Sequence, residues 1–319
     1  MKKILANDGI DATGKAILEK EGFTVLTQKV DQADLAAYIN AEQIGVLLVR
    51  SATKVRKDLI DACPGLKIIG RGGVGMDNID VAYAREKGLK VINTPAASSQ
   101  SVAELVFAHL FAVARFIHRS NREMPLSGHS DFNGLKKIYS DGFELKGKTL
   151  GILGFGRIGQ ATAKMALGLG MKVLPYDPIV KTTQLDLDFF HTEDTFSIEY
   201  HTVSLDEVLA SSDFITLHVP ASPDGKPVIG AAELSRMKQG VVLLNASRGG
   251  IIDEDALLEA LNSGKVAFAG LDVFDNEPTP RTELLNHPSV SVTPHIGGST
   301  REAQERIGVE LAELVAAAW

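Results

Sequence analysis

Little in this chain speaks of export, membranes or nucleic acid. Cys63 is the only cysteine, so no intrachain disulfide is available. No stretch approaches the roughly 20 consecutive apolar residues that span a bilayer. The apolar run behind Lys2 and Lys3 is only Ile4-Leu5-Ala6, too short for the core of a signal peptide. Positive charge is not in excess: the net charge is -7 with both signs dispersed, which leaves no basic footprint for a polyanion. The expectation is a soluble, cytoplasmic protein that engages neither nucleic acid nor membrane. What the chain does have is 319 residues at 45% hydrophobic composition, enough to bury a large core. By the prior of about 100 to 200 residues per domain, that length suggests two domains.

Short β-branched runs alternate with amphipathic segments from the start. Ile4 to Ala6, Thr24 to Leu26, Gly45 to Val49, Leu66 to Gly70 and Val91-Ile92 read as strands. Helical patterns fall between them at Asp11 to Glu21, Leu35 to Tyr38, Lys57 to Ala62 and Val81 to Lys87. This rhythm predicts parallel βαβ units and a doubly wound α/β domain in the first part of the chain. Ser101 to Arg119 reads as one long helix leaving that domain, and the polar, glycine-bearing stretch from Arg122 to Gly147 as a surface connection. The βαβ rhythm resumes at Thr149 and runs to Val290 to Thr293. Thr300 to Trp319 then forms a last helix, with Ile307, Leu311, Leu314 and Val315 as its apolar stripe, which is expected to pack back on the first domain.

The second half opens with a dinucleotide fingerprint. Gly154-Phe155-Gly156-Arg157-Ile158-Gly159 follows the apolar strand Thr149 to Leu153 and opens a small-residue helix from Gln160 to Leu169. The first glycine allows the tight turn and the second a close approach of backbone to pyrophosphate. The third permits helix-on-strand packing, while the helix N-terminus presents N–H groups to the anion. A second strand, Lys172 to Leu174, leads to Asp177, near the spacing of about 20 residues at which a carboxylate meets ribose hydroxyls. A carboxylate repels a 2'-phosphate, and no arginine follows at Pro178-Ile179-Val180, so NAD is expected over NADP. A second glycine-rich loop, Gly70-Arg71-Gly72-Gly73-Val74-Gly75, lacks the third glycine at the required spacing. Two readings of it stand side by side: a backbone turn, or a loop whose N–H groups, with Arg71, hold an anionic substrate.

Three chemically competent residues lie after strands of the second half, at the edge where open parallel sheets bind ligands. They are Arg248, Glu277 and His295. Removing a hydride from a hydroxyl carbon requires a base for the hydroxyl proton, a role suited to histidine. A neighbouring carboxylate orients the ring and favours its charged form, and an arginine grips a substrate carboxylate with two parallel hydrogen bonds. Taken singly, each is an ordinary loop residue. His109, His118, His129, His191, His201 and His287 have no matching constellation, and His218 reads as lining the cofactor cleft.

Asn93-Thr94-Pro95, Gly154 to Gly159, Leu217-His218-Val219-Pro220, Asn245 to Gly250, Gly270-Leu271-Asp272-Val273 and Thr293 to Gly298 occur in one order. With that motif set the sequence resembles the D-isomer-specific 2-hydroxyacid dehydrogenases over nearly its whole length. Val49 to Val55 and Gly70 to Asp80 look most like the branch that oxidises D-3-phosphoglycerate to 3-phosphohydroxypyruvate in serine biosynthesis. The resemblance implies a Rossmann-type NAD domain, residues 99–295, inserted into a flavodoxin-like substrate domain made of residues 1–98 and 296–319. It implies His295 as acid/base, Glu277 as its partner and Arg248 as carboxylate anchor, with no metal. Beyond the fingerprint residues and Asp177, it places His218, Val219, Pro220, Ala246, Ser247, Asp272, Gly297 and Gly298 at the cofactor. Arg50, Ser51, Arg71, Gly72 and Gly73 fall at the anionic 2-hydroxy or 2-keto acid, with Lys136 and Lys137 as either additions to a phosphate site or a solvated pair. A homodimer built largely on the cofactor domain is also implied.

Some features depart from the family pattern. Val74 replaces a threonine that provides one cofactor hydrogen bond in many relatives, the stretch from Lys181 to Thr202 is longer and more acidic, and the loop Ala221 to Lys226 is altered. The chain ends at Trp319 without the regulatory domains of longer relatives, so serine inhibition at such a domain is not expected. The alternatives are a related dehydrogenase acting on glycerate, glyoxylate, lactate or erythronate 4-phosphate, and a non-catalytic NAD-sensing protein of the corepressor kind.

Overall fold

The computed structural model describes residues 2–188, 195–222 and 224–319; His191 and Pro223, in the segments singled out above, lie outside them. The chain divides into two units, Met1–Ser101 with Gly298–Trp319, and Val102–Gly297. The first contains β1 (Lys3–Ala6), α1 (Ala12–Lys20), β2 (Thr24–Leu26), α2 (Leu35–Ala41), β3 (Val46–Val49), α3 (Lys57–Ala62), β4 (Ile68–Arg71), α4 (Val81–Glu86) and β5 (Lys90–Asn93). Its strands are all parallel in the order β2-β1-β3-β4-β5, the flavodoxin-like order. Period-two alternation sends neighbouring side chains to opposite faces: Ile4 and Leu48 enter one apolar cluster, Leu5 and Leu47 the other. Each such buried side chain contributes about 1.5–3 kcal/mol, and both faces of the sheet are covered by helices.

The boundary to the second unit falls in the first turn of α5 (Ser99–Ala114), followed by α6 (Ile117–Ser127) and α7 (Phe132–Ile138). Then come β6 (Thr149–Leu153), α8 (Arg157–Gly168), β7 (Lys172–Tyr176), β8 (Thr182–Asp188), β9 (Thr195–His201), α9 (Leu205–Ser211) and β10 (Phe214–Leu217). The unit continues with α10 (Ala231–Arg236), β11 (Val241–Asn245), α11 (Glu254–Asn262), β12 (Val266–Leu271), α12 (Thr282–Leu285) and β13 (Val290–Val292). The six-stranded parallel sheet has the order β13-β12-β11-β10-β6-β7. β6 therefore lies where the strand order reverses, between β7 and β10, and the crevice at such a reversal is the ligand site of open α/β sheets. The last helix, α13 (Arg301–Ala318), returns to the first unit. There Leu311, Ala312 and Val315 join Ile4, Leu18 and Ile68 in one cluster.

Two local expectations need correction, and one stretch with no expected element gains one. The helix read as Ser101 to Arg119 is broken: α5 and α6 meet at a 57° bend, with Phe116 between them in the left-handed region at φ 55°. That conformation lets the Phe116 ring pack edge-on against Phe268 at 5.7 Å and beside Tyr139 at 5.9 Å. The stretch from Arg122 to Gly147 is not merely a connection, because it carries the end of α6 and all of α7, whose N-cap Asp131 accepts from Gly134 N at 3.1 Å. Finally, β8 and β9 form an antiparallel hairpin within the long acidic stretch after Asp177. Leu185 of that hairpin is buried, and Tyr200 lies 6.1 Å from the ring of Phe155. No single helix among the described residues is long and apolar enough to cross a membrane.

Candidate functional site

The fingerprint turn is shaped by contacts that only glycine permits. Gly154 has φ 95°, and a Cβ there would stand 2.4 Å from the carbonyl oxygen of His218. A Cβ on Gly159 would fall 2.2 Å from the carbonyl oxygen of Gly154, so the first turn of α8 is pressed on the loop. Gly156 differs: nothing lies within 4 Å of its Cβ position, which leaves open space at the N-terminus of α8. That opening and the helix N-terminus fit a pyrophosphate. Asp177 follows β7, and its Oδ2 accepts Phe155 N–H at 2.7 Å while Oδ1 accepts Ile179 and Val180 N–H at 2.8 and 2.9 Å. Burial opposes ionisation there, but these donors together hold the carboxyl below its ordinary range, so it is charged at neutral pH.

His218 needs a corrected placement. Its ring turns into the interior, where Nε2 meets Thr216 Oγ1 at 3.1 Å and Thr162 Oγ1 at 3.2 Å, and Nδ1 has no partner among the described residues. The backbone, not the imidazole, faces the fingerprint. Burial pushes the ring down to about 3. Val219 is half-buried and Pro220 exposed, while Arg157 is exposed at the start of α8.

Beyond β11, β12 and β13, three loops are tied into one piece. Asn245 Oδ1 accepts from Ser247 N and Oγ at 3.1 and 2.8 Å, and Asn245 Nδ2 donates to Arg248 O at 2.8 Å. Arg248 Nη1 donates to Ser247 O at 2.6 Å. A Cβ on Gly249 would stand 2.0 Å from Phe274 O, so the loop that follows Ala246 touches the next loop backbone to backbone. Gly250 N–H reinforces this by donating to Asp275 Oδ1. Glu254, buried on α11, accepts Asp275 N–H at 3.0 Å, and burial raises its carboxyl above the ordinary range.

The loop after β12 ends at Glu277, whose Oε1 accepts Phe274 N–H at 3.0 Å and whose Oε2 lies 2.7 Å from His295 Nδ1. A carboxylate only accepts, so Nδ1 carries the hydrogen and Nε2 of the neutral ring is left as a base. The ring is 41% exposed and therefore reachable by a ligand. His295 itself sits at φ 54°, a conformation costing on the order of 1–3 kcal/mol for a residue with a side chain. Asp272 offsets that cost: its carbonyl accepts His295 N–H at 2.8 Å, Oδ1 accepts Ile296 N–H at 2.8 Å, and Oδ2 accepts Gly297 N–H at 2.8 Å. Asp272 is 1% exposed, so its carboxylate, expected at the cofactor, is committed to this loop.

In the first unit, the ends of β1 and β3 border a cavity of about 270 Å³ that includes Asp8, Asp11, Arg50, Gly72 and Gln304. Ser51 borders a neighbouring hollow with Lys29, which is ion-paired to Asp8. In the glycine-rich loop, Gly72 N–H donates to Val49 O at 2.9 Å and Gly73 N–H to Thr94 Oγ1 at 2.8 Å. These two N–H groups are engaged within the protein, which corrects the expectation for Gly72 and Gly73 alone as N–H donors to an anion. Gly73 sits at φ 145°, a conformation that residues with a side chain rarely adopt, and the Arg71 guanidinium lies over it. Gly298 also belongs to this unit, beside Ser98.

Comparison with known proteins agrees with this architecture. The sequence signature of the D-isomer specific 2-hydroxyacid dehydrogenase NAD binding domain matches residues 107–297. The chain is 44% identical to hydroxypyruvate reductase of Thermotoga maritima, covering 98% of this chain and 97% of that protein. It is 41% identical to D-3-phosphoglycerate dehydrogenase of Methanocaldococcus jannaschii over 99% of this chain, but it spans only 57% of that protein's length. Among solved structures, a glyoxylate reductase from Paecilomyes thermophila superposes with a TM-score of 0.83 at 30% identity, covering 99% of this chain and 94% of the other. NAD is the cofactor, and the chain belongs to the D-isomer specific 2-hydroxyacid dehydrogenases.

Proposed function

We propose that the chain catalyses the NAD-dependent oxidation of D-3-phosphoglycerate to 3-phosphohydroxypyruvate, a cytoplasmic step toward serine. The observation that carries the chemistry is the 2.7 Å contact between His295 Nδ1 and Glu277 Oε2. Glu277 fixes the tautomer, so that His295 Nε2 takes the hydroxyl proton in oxidation and returns it in reduction. Arg248 anchors the substrate carboxylate from the loop held by Asn245. NAD, held at Gly154, Gly156, Gly159 and Asp177, supplies the hydride acceptor when bound. Arg50 and Arg71 provide the positive charge that a phosphorylated substrate requires. Lys136 and Lys137 stand exposed in the last turn of α7 and read as a solvated pair.

Two observations favour a second reading, the reduction of hydroxypyruvate. The relative bearing that activity matches end to end, and Asp8 and Asp11 stand beside Arg50 in the first unit's cavity, where carboxylates disfavour an added phosphate. A panel of 2-keto acids with NADH separates the two. At least tenfold higher kcat/KM for 3-phosphohydroxypyruvate supports the first reading, and the reverse order the second. Failure of every keto acid would leave only an NAD-binding protein.

The assembly we propose is a homodimer through α5, α6 and α7. Phe111, Ile117, Met124, Leu126, Phe132 and Ile138 are all exposed on these three consecutive helices, a concentration of large apolar side chains typical of a protein contact.

A further inference from the structure

We propose that His109 is a positioning residue for His295, acting through a run of hydrogen bonds from His109 through Thr293 to Asp272. The inference rests on the reading above, that His295 exchanges the substrate proton. His109 stands on α5 and is 4% exposed. Gly270 of β12 makes room for it: a Cβ on Gly270 would stand 2.7 Å from His109 Cβ and 2.8 Å from Leu244 Cδ2. The imidazole meets the end of β13 with both nitrogens, Nδ1 at 2.9 Å from Ser291 Oγ and Nε2 at 3.0 Å from Thr293 Oγ1.

The hydrogen positions follow from the next link. Thr293 Oγ1 donates to Asp272 Oδ1 at 2.6 Å, and a hydroxyl has a single hydrogen to give. Thr293 therefore offers His109 only a lone pair, and His109 Nε2 must donate to it. Burial holds the His109 ring below the ordinary histidine range and hence neutral, so Nδ1 accepts from Ser291. All the hydrogen bonds point one way: Ser291 to His109, His109 to Thr293, Thr293 to Asp272.

They end on the group that shapes the His295 loop. Asp272 receives the Thr293 hydroxyl and Ile296 N–H on Oδ1, Gly297 N–H on Oδ2 and His295 N–H on its carbonyl, bracketing a residue held at φ 54°. Without His109, the Thr293 hydroxyl loses the donor that fixes its rotation, and Asp272 loses a preorganised partner. The imidazole of His295 then wanders, and a misplacement of about 1 Å is enough to cost up to about 100-fold in rate.

The test measures deuterium uptake by residues 293–298 together with keto-acid kinetics, in wild type, His109→Leu and His109→Gln. Expected for His109→Leu are faster exchange of that segment and a kcat lowered about 10- to 100-fold, with KM for the keto acid within about twofold of wild type. His109→Gln keeps a side-chain N–H donor and should recover most of both. Unchanged exchange in His109→Leu overturns the proposal, as does a kcat loss that glutamine fails to reverse or that KM shares equally. If His109→Leu does not fold, Thr293→Val reads the same link with the same criteria. Exchange that responds as stated in a protein that reduces no 2-keto acid keeps the positioning run and removes the catalytic reading of His295.

Discussion

Phe155 N–H donates to Asp177 Oδ2 at 2.7 Å, tying the second residue of the fingerprint to the end of the next strand. Asp177 thus both shapes the turn and carries a negative charge where the ribose is expected. A hydrogen bond to a charged group is worth about 1.5–3 kcal/mol. Asp177→Ala should therefore weaken NADH about 10- to 100-fold while NADPH binding stays level or improves. Asp177→Asn keeps an acceptor for Phe155 and separates charge from turn geometry. The check is kcat/KM for both cofactors; an unchanged preference for NADH in Asp177→Ala would remove Asp177 from cofactor choice.

In the first unit, α1 and α13 touch backbone to backbone. A Cβ on Gly14 would stand 2.4 Å from Gly308 O and 2.7 Å from Gly308 Cα, atoms that cannot rotate away. Alanine normally favours a helix by about 1 kcal/mol over glycine. Here overpacking should outweigh it, and Gly14→Ala should lose about 1–3 kcal/mol of stability. Denaturant unfolding reads the sign directly, and a more stable Gly14→Ala protein would mean the helices separate easily.

The buried His218 ring makes a pH prediction. Its folded pKa lies near 3 against an ordinary 6.5, so below 6.5 the unfolded chain binds a proton that the folded chain refuses. Stability on this account is full above pH 6.5 and falls as pH drops from 6.5 toward 3, reaching about 2 kcal/mol of loss at pH 5. His218→Asn removes the titration, so its stability should decline less than wild type between pH 7 and 5. Parallel profiles for the two proteins would show that the ring does not stay neutral.

The exposed apolar residues of α6 and α7 should govern assembly. Leu126→Glu combined with Phe132→Glu should convert a dimer to a monomer in sedimentation at micromolar protein, because two carboxylates at a buried contact face a desolvation cost of several kcal/mol. A wild-type protein that sediments as a monomer would dispose of the homodimer.

How much of this was legible in sequence depends on the range of the contacts. Gly159 presses on Gly154, and Asp177 reaches Phe155 over 22 residues, so the spacing alone announces strand, turn and helix. Glu277 and His295 are 18 residues apart and fall after successive strands, so topology brings them to the same edge. His109 and Thr293 are separated by 184 residues, and no local pattern links an α5 histidine to a threonine beyond β13. His218 misleads for a related reason: a residue just past a strand end faces cleft or core according to one side-chain rotation. The hairpin of β8 and β9 did leave a trace, since Leu185 and Leu187 alternate with Asp186 and Asp188, but acidic neighbours masked it as a polar insertion. At the break, Phe116 packs against Phe268 and Tyr139, contacts that no local pattern around Phe116 announces.

The pairing of Glu277 with His295 can be tested as a unit. If His295 Nε2 carries the proton, His295→Ala should still bind NADH yet lower kcat about 100- to 10,000-fold, the usual worth of general acid/base catalysis. Glu277→Gln keeps the shape but loses the acceptor charge on Nδ1–H, and should cost a smaller factor of about 10 to 100, in line with hydrogen bonds to charged groups. Because Glu277 works only by holding the ring, adding Glu277→Gln to His295→Ala should cost almost nothing further, the non-additivity of residues that act together. Multiplying losses in the double variant would mean that Glu277 touches the reaction by a route independent of His295. The 3.0 Å bond from Phe274 N–H to Glu277 Oε1 supplies the control, because loop collapse would also change thermal stability, which Glu277→Gln is expected to leave within about 1 kcal/mol.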